Sequence, residues 1–260
     1  MTRKKEQVRV LSQEQLAAGI FSMWIATEAA GEARPGQFIS MYTNDGTKLL
    51  PRPISICEID REAGALRVVY RVTGRNTGTE QFSQMKAGDI LSIVGPLGNG
   101  FPLERAAGKR AFLMGGGIGV PPILELAKEL DCGKKQIIAG YRDSQTFLRE
   151  EFEKNGELYI STEDGSAGVK GNVLDAVREY GLEADIIYAC GPTPMLRAIK
   201  AYAQEHDIEC YISLEERMAC GIGACLGCVC QTREKDAHSN VNNKRICKDG
   251  PVFLATEVEI

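Results

Sequence analysis

Histidine is nearly absent from this chain, with His206 and His238 the only two among 260 residues. That scarcity argues against a Rieske centre, against other imidazole-based metal sites and against most histidine-dependent acid–base chemistry. No apolar run approaches the length that a membrane-spanning helix needs. Net charge is −4 with acids and bases interspersed, so the sequence carries no basic footprint for nucleic acid. Internal repeats and low-complexity tracts are also missing. Residues 1–6 lead into no apolar segment of the secretory kind. The expected compartment is therefore the reducing cytoplasm, and disulfides are not expected.

Cysteine is plentiful by contrast. There are nine, and five of them follow Glu215. Cys220, Cys225 and Cys228 fall in the run Cys-Gly-Ile-Gly-Ala-Cys-Leu-Gly-Cys, with Cys247 further on. This Cys-x4-Cys-x2-Cys…Cys order is the plant-type spacing for a [2Fe–2S] cluster. Four thiolates must converge on two irons joined by sulfides; a tight loop can deliver three, and a separate segment brings the fourth. Gly221, Gly223 and Gly227 let the backbone curl and turn its amides toward the sulfurs. A four-cysteine structural zinc site stays open as the alternative, although zinc ribbons usually show two Cys-x2-Cys knuckles and this sequence has one. The spacing of Cys230 does not fit a ligand, and it reads as packing beside the loop.

The length suits two domains and an appendage, and 43% apolar residues can fill their cores. Up to about residue 103 the pattern is short apolar runs separated by turn residues. Strands are expected at 7–11, 20–27, 37–42, 53–59, 66–72 and 89–94, and six short strands close most simply into an antiparallel barrel. The period then changes. Strands at 111–114, 136–141, 158–162, 185–189 and 209–214 alternate with helices at 123–130, 147–155, 173–180 and 193–205, the pattern of a parallel α/β sheet of the nucleotide-binding kind. From about residue 215, regular structure is expected to give way to cysteines, glycines and a polar loop at 235–244. The metal centre would hold that end together, because few apolar residues are there to do so. The expected division is 1–103, 104–214 and 215–260.

Two junctions in the α/β part are candidate nucleotide sites. Gly115, Gly116, Gly117 and Gly119 come straight off a strand and open a helix, so a pyrophosphate could approach the backbone near free N–H groups. Val120 stands where the third glycine of Gly-x-Gly-x-x-Gly would be, so the standard fingerprint is absent. Cys190, Gly191 and Pro192 form the second junction, at a strand's carboxyl end, where open α/β sheets bind ligands. In the barrel, Arg52, Pro53, Ile54 and Ser55 start one strand, and Arg52 offers a fork suited to a diphosphate or a flavin carbonyl. Val69, Tyr70 and Arg71 continue the next strand. Gly78 and Thr79 then precede a helical turn at 80–85. Taken singly these have bland readings: Tyr70 as barrel wall, Cys190 as a small core filler.

In this order, together with Gly-Pro-Leu-Gly-Asn-Gly-Phe (95–101) and Glu-Arg-Met-Ala-Cys-Gly-Ile-Gly-Ala-Cys (216–225), the motifs resemble the ferredoxin reductase family. Within it they resemble most the electron-transfer subunits of B-type dihydroorotate dehydrogenases. The resemblance implies an FAD-binding barrel domain, an NAD-binding domain and a [2Fe–2S] domain. It implies Arg52–Ser55, Val69–Arg71, Gly78 and Thr79 around FAD, and the glycine junctions with Pro192 around NAD(H). It further implies Cys190 beside the nicotinamide, and Cys220, Cys225, Cys228 and Cys247 on the cluster. The implied partner is an FMN-containing catalytic subunit that oxidises dihydroorotate, in a heterotetramer of two of each chain. Electrons would then pass through cluster and FAD to NAD+, in pyrimidine biosynthesis. Similar chains serve as flavin subunits of NADH-dependent ferredoxin:NADP oxidoreductases and sulfhydrogenases, often with aspartate where this sequence has Cys220. A zinc-stabilised nucleotide-binding module of no enzymatic function is the alternative of another class. Arg142 on one side and Glu163 and Asp164 on the other leave the choice of NAD or NADP open.

Overall fold

The computed structural model describes residues 4–235 and 240–260. His238 and the middle of the polar loop expected at 235–244 lie outside the described residues. Six strands come first: β1 (Lys4–Ala17), β2 (Ile20–Ala26), β3 (Phe38–Tyr42), β4 (Arg52–Asp60), β5 (Ala65–Arg71) and β6 (Ile90–Leu97). They close an antiparallel barrel in the order β1-β2-β5-β4-β3-β6. Side chains alternate across each strand, so Met23, Ile25, Ile39, Met41, Ile56, Val68 and Tyr70 fill the interior.

β1 runs well past both ends of the expected 7–11. Its first half pairs with β6 and its second half with β2. Register shifts between Val10 and Ser12, and again between Gln15 and Ala17, break the two-residue alternation that the sequence reading relied on. One polar residue of that stretch does structural work. The Gln13 carboxamide donates to the carbonyls of Phe82 and Met85, each at 2.9 Å, and accepts from the Tyr70 hydroxyl at 2.9 Å. It thereby seats the short helix α1 (Gly78–Ser83) on the barrel mouth.

The second sheet is built from β7 (Arg110–Gly116), β8 (Lys134–Tyr141), β9 (Glu157–Thr162), β10 (Val169–Lys170), β11 (Ile186–Cys190) and β12 (Glu209–Ser213). These six run parallel to one another. Helices α2 (Pro121–Glu129), α3 (Arg149–Glu153), α4 (Val173–Glu179) and α5 (Thr193–Glu205) connect them. α4 starts on a capping box between Asn172 and Asp175. α2 packs against β4 and ties the two units through buried polar contacts. Glu125 accepts from the amide of Ile59 at 2.9 Å, and Arg67 bonds Glu58 at 2.6 Å while reaching Glu151 at 3.4 Å.

The C-terminal segment departs from the expectation of irregular structure held by metal alone. It contains β13 (Val229–Thr232), β14 (Asn243–Arg245), α5's successor α6 (Ile246–Asp249), β15 (Val252–Leu254) and β16 (Val258–Glu259). β14-β13-β16 form a small antiparallel sheet, whereas β15 adds antiparallel to β12 as the edge of the large sheet. Met218, Ile246, Phe253, Ala255 and Val258 are buried in the same apolar cluster as Leu196, Ile199 and Ile212. Few apolar residues suffice here because the segment borrows the face of an existing core instead of building its own.

Candidate functional site

A cleft of about 490 Å³ lies between the barrel and the carboxyl end of β12, with Ile118, just beyond β7, also on its lining. Consecutive residues of β4 and β5, Arg52–Ser55 and Val69–Arg71, line it. Ile54 and Tyr70 pack toward the barrel interior, while Val69 belongs to the apolar cluster of the nucleotide unit. Tyr70 is buried, its ring stacked 6.1 Å from Phe21 and its hydroxyl bonded to Gln13, so it serves as barrel wall along the cleft. Arg52 donates to the Leu50 carbonyl and lies across Gly78, where a side chain would run into its guanidinium. Thr77 caps α1 through its side-chain oxygen, which accepts from the Glu80 amide at 3.2 Å. Arg71 is exposed and extends from the barrel to Gly117. Two guanidinium groups of the barrel thus border one cleft, with Ser55 and Thr79 beside them and Arg217 on the far side.

The far wall was not legible as a flavin wall in the sequence. Ser213, Leu214, Glu215, Glu216, Arg217 and Met218 line the cleft, together with Phe38, Ile118 and Pro251. Desolvation raises the Glu215 carboxyl above the usual range, and the nearby charge of Arg71 acts in the opposite sense. The signal that could have found this wall is positional. Ser213–Glu215 follow the last parallel strand at its carboxyl end, the same place as the glycine and cysteine junctions.

Those junctions touch one another. β11 pairs with β7 so that Cys190 lies level with Gly115, and with β12 so that it lies level with Ser213. Cys190 is fully buried, and burial pushes its thiol well above the ordinary range, so it stays protonated. Gly119 presses on the backbone of Cys190 and Gly191, while Gly116 and Gly191 both abut the thioether of Met195. Gly115 packs on the backbone of Val120. Gly117 differs from these: it has φ +56°, a left-handed conformation, and meets only Arg71 across open space. Pro192 is exposed as the N-cap of α5, and Pro121 and Pro122 open α2. Most of the glycines therefore allow the two loops to pack closely, and Gly117 is the one that stands beside the Arg71 guanidinium.

The cysteine loop adjoins this wall. Gly221 and Gly223 have positive φ, and Gly221 packs over Ser40 of β3, whose buried hydroxyl has no partner among the described residues. The four predicted thiols come together as two pairs. Cys220 bonds Cys225, with the Cys225 amide donating to Cys220 Sγ at 3.4 Å. Cys247 bonds Cys228, with the Cys247 amide donating to Cys228 Sγ at 3.4 Å. The Gly223 amide also donates to Cys247 Sγ at 3.2 Å. Among the described residues no three ligating side chains converge to hold a single ion. Two pairs of thiols, each within reach of the other's charge, fit two irons joined by sulfides better than one tetrahedral zinc. Burial raises the Cys220 thiol, but the amides of Cys225, Ile222 and Ala224 outweigh it and bring the group down to about 6. Cys247 is pushed up to about 12 by burial and by its neighbour Cys228. Cys230 instead donates to the Lys244 carbonyl at 3.5 Å, outside both pairs.

A flavin-sized cleft between a closed barrel and the carboxyl edge of a parallel sheet, next to a four-thiol loop, defines a pyridine-nucleotide oxidoreductase of the ferredoxin reductase type with an iron–sulfur segment. Comparison narrows this class. Residues 215–259 match the model of the iron–sulfur cluster binding domain of dihydroorotate dehydrogenase B. The electron transfer subunit of dihydroorotate dehydrogenase B (NAD(+)) from Caldanaerobacter subterraneus subsp. tengcongensis is 45% identical over 256 residues, 98% of this chain and 99% of that one. Its counterpart from Geobacillus sp. is 44% identical over 263 residues, 98% of each chain. The chain belongs to the family of dihydroorotate dehydrogenase B electron transfer subunits. Among solved structures, that of an NADH-dependent reduced ferredoxin-NADP oxidoreductase aligns with a TM-score of 0.83 at 28% identity, covering 97% of this chain and 89% of that one. The ferredoxin reductase of a carbazole 1,9a-dioxygenase shares the fold, with a TM-score of 0.66 at 19% identity over 80% of this chain and 67% of that one.

Proposed function

We propose that this chain links an FMN-containing catalytic subunit, which oxidises dihydroorotate to orotate, to NAD+, and that the two chains assemble as a heterotetramer of two of each. Cys220, Cys225, Cys228 and Cys247 would hold the [2Fe–2S] cluster. Arg52–Ser55, Val69–Arg71, Gly78 and Thr79 would hold FAD, with Glu215–Met218 as its far wall. Gly115–Gly117, Gly119, Gly191 and Pro192 would receive NAD(H), with Cys190 beside the nicotinamide. When bound, the cluster supplies one-electron exchange and the flavin supplies both one-electron exchange and hydride exchange with the nicotinamide.

The chain's own residues supply binding, orientation and exclusion of water. Arg52 and Arg71 present fixed cations to an anionic cofactor, and Arg52 is held by the Leu50 carbonyl and the room left at Gly78. Cys190, protonated and buried, shapes the slot without donating electrons. No histidine serves dihydroorotate chemistry among the described residues: His206 stacks on Tyr202 at 4.1 Å, at the end of α5. The three units proposed are 1–103, 104–214 and 215–260, with β15 of the last completing the sheet of the second. A cytoplasmic location suits nine thiols of which none is in a disulfide. Among the described residues no helix is long and apolar enough to cross a membrane.

The observation that carries this reading is the pairing of Cys220 with Cys225 and of Cys228 with Cys247, next to the wall of the cleft. The test is the visible and electron paramagnetic spectrum of the purified protein with a serine series. Cys220→Ser, Cys225→Ser, Cys228→Ser and Cys247→Ser should each abolish or distort the iron–sulfur signal, and Cys230→Ser should leave it intact. A signal that survives Cys228→Ser but is lost in Cys230→Ser would overturn the ligand set.

A further inference from the structure

Arg245 stands against the cysteine loop without belonging to it. Its Nη1 donates to the carbonyl of Gly223 at 2.9 Å. Asp249 fixes it from the other side, accepting from the Arg245 amide at 2.8 Å and from its Nε at 3.3 Å. The carbonyl of Gly223 lies in the loop between two amide–sulfur contacts, that of Gly223 to Cys247 Sγ at 3.2 Å and that of Cys225 to Cys220 Sγ at 3.4 Å. Arg245 therefore grips the loop from the oxygen side of a peptide that stands between these two contacts. A cation on that oxygen polarises the peptide and holds the loop's amides on the sulfurs. Lys248, one turn on, lays its methylenes along Gly223, so a second cation borders the same loop. The arginine is half-buried, which limits its screening by water.

We propose that Arg245 is a positioning residue that sets the reduction potential of the cluster bound by Cys220, Cys225, Cys228 and Cys247. The inference rests on the ligand set proposed above. Reduction adds one electron, and so one negative charge, to the group held by these thiolates. A fixed positive charge coupled through the 223–224 peptide favours the reduced form over the oxidised one, and hydrogen bonds to the sulfurs act in the same direction. Asp249 holds the guanidinium in register on its Nε side and offsets part of its charge, while Nη1 stays on the Gly223 carbonyl. Sequence reading alone does not find this residue, because Arg245 lies in the polar stretch between the third and fourth cysteines and carries no motif.

The test uses the full-length chain co-expressed with its catalytic partner, and reads the potential by redox titration of the cluster's paramagnetic signal. Arg245→Gln keeps a donor but removes the charge, while Arg245→Lys keeps the charge but loses the fork. The glutamine variant should retain the wild-type iron content and visible spectrum. At a fixed solution potential its ratio of reduced to oxidised cluster should fall about tenfold, equivalent to about 59 mV for one electron. The lysine variant should recover part of that loss. An unchanged potential in Arg245→Gln, or equal losses in the two variants, would overturn the proposal. Loss of the cluster in Arg245→Gln would also overturn it, since folding the loop would then be role enough. A wild-type protein with no [2Fe–2S] signal would instead sink the ligand set itself, and the two failures are separable on that reading.

Discussion

The carboxamide of Asn99 clasps the backbone on both sides of Pro251. Its Nδ2 donates to the Asp249 carbonyl at 3.0 Å, and its Oδ1 accepts from the Val252 amide at 3.3 Å. The Asn99 amide adds a third bond, to the Gly250 carbonyl at 2.7 Å. Gly98, with φ +72°, lets the turn press on Gly250 and Pro251. The turn that leaves the barrel therefore also anchors the segment carrying Cys247 and β15.

Replacing Asn99 with Ala should remove both side-chain bonds and leave the backbone one. Asn99 is exposed, so each lost bond should cost about 0.5–1.5 kcal/mol. The expected outcome is a lower thermal midpoint together with faster loss of iron on dilution into chelator. Unchanged iron retention would show that β15 holds the segment without the clasp.

Glu125 predicts a pH dependence. It is 2% exposed on α2, facing the Ile59 amide, Lys128 and Glu129, and Lys128 in turn pairs with Glu58. Burial, reinforced by Glu129, raises its carboxyl to about 7 from its ordinary 4.5, while the Ile59 amide and Lys128 pull against the rise. The folded chain thus keeps the proton to higher pH than the unfolded chain does. Stability from this group is full below about 4.5 and is lost as pH rises toward about 7. Glu125→Gln should flatten that window by an amount on the order of 2 kcal/mol. Thermal midpoints of both proteins between these pH values check it, and parallel curves would refute it.

A third expectation concerns the glycine junctions. Gly116→Ala would meet the flexible end of Met195, whereas Gly119→Ala would meet the backbone of Cys190 and Gly191. A side-chain tip can move and a strand end cannot, so Gly119→Ala should be the costlier change, about 1–3 kcal/mol. Adding Met195→Ala should rescue Gly116→Ala and leave Gly119→Ala unrelieved. Equal rescue of both by Met195→Ala would show that the loops shift as a unit.

How far the sequence reaches can be judged from these same residues. The plant-type spacing of Cys220, Cys225 and Cys228 was legible because these three thiols sit in one loop, where chain distance and spatial distance agree. β4 and β5 were legible because Ile54, Ile56, Val68 and Tyr70 alternate with residues facing out. β1 was underestimated because its bulges break that alternation. β15 is three residues long, and only its partner β12, forty residues earlier in the chain, makes it a strand. The junction glycines were legible as a tight turn. That several of them make room for Met195 and for the Cys190 backbone depends on packing between segments, which no local pattern records.

The last prediction is for Cys190. It ends β11 between Gly115 and Ser213. Burial raises its thiol above the ordinary range and keeps it protonated, which disfavours a thiolate role. In the function proposed above its part is shape: a small polarisable group beside the place where a nicotinamide would approach the flavin. Hydride transfer depends steeply on that approach, and a misplacement of about 1 Å can cost about a hundredfold in rate. Cys190→Ala should lower the rate of flavin reduction by saturating NADH in stopped flow, while FAD content and the cluster spectrum stay at wild-type levels. Cys190→Ser, nearly the same in size, should retain more of the rate than alanine does. A wild-type rate in the alanine variant would make Cys190 a filler of the sheet's core, its burial accounted for by packing alone.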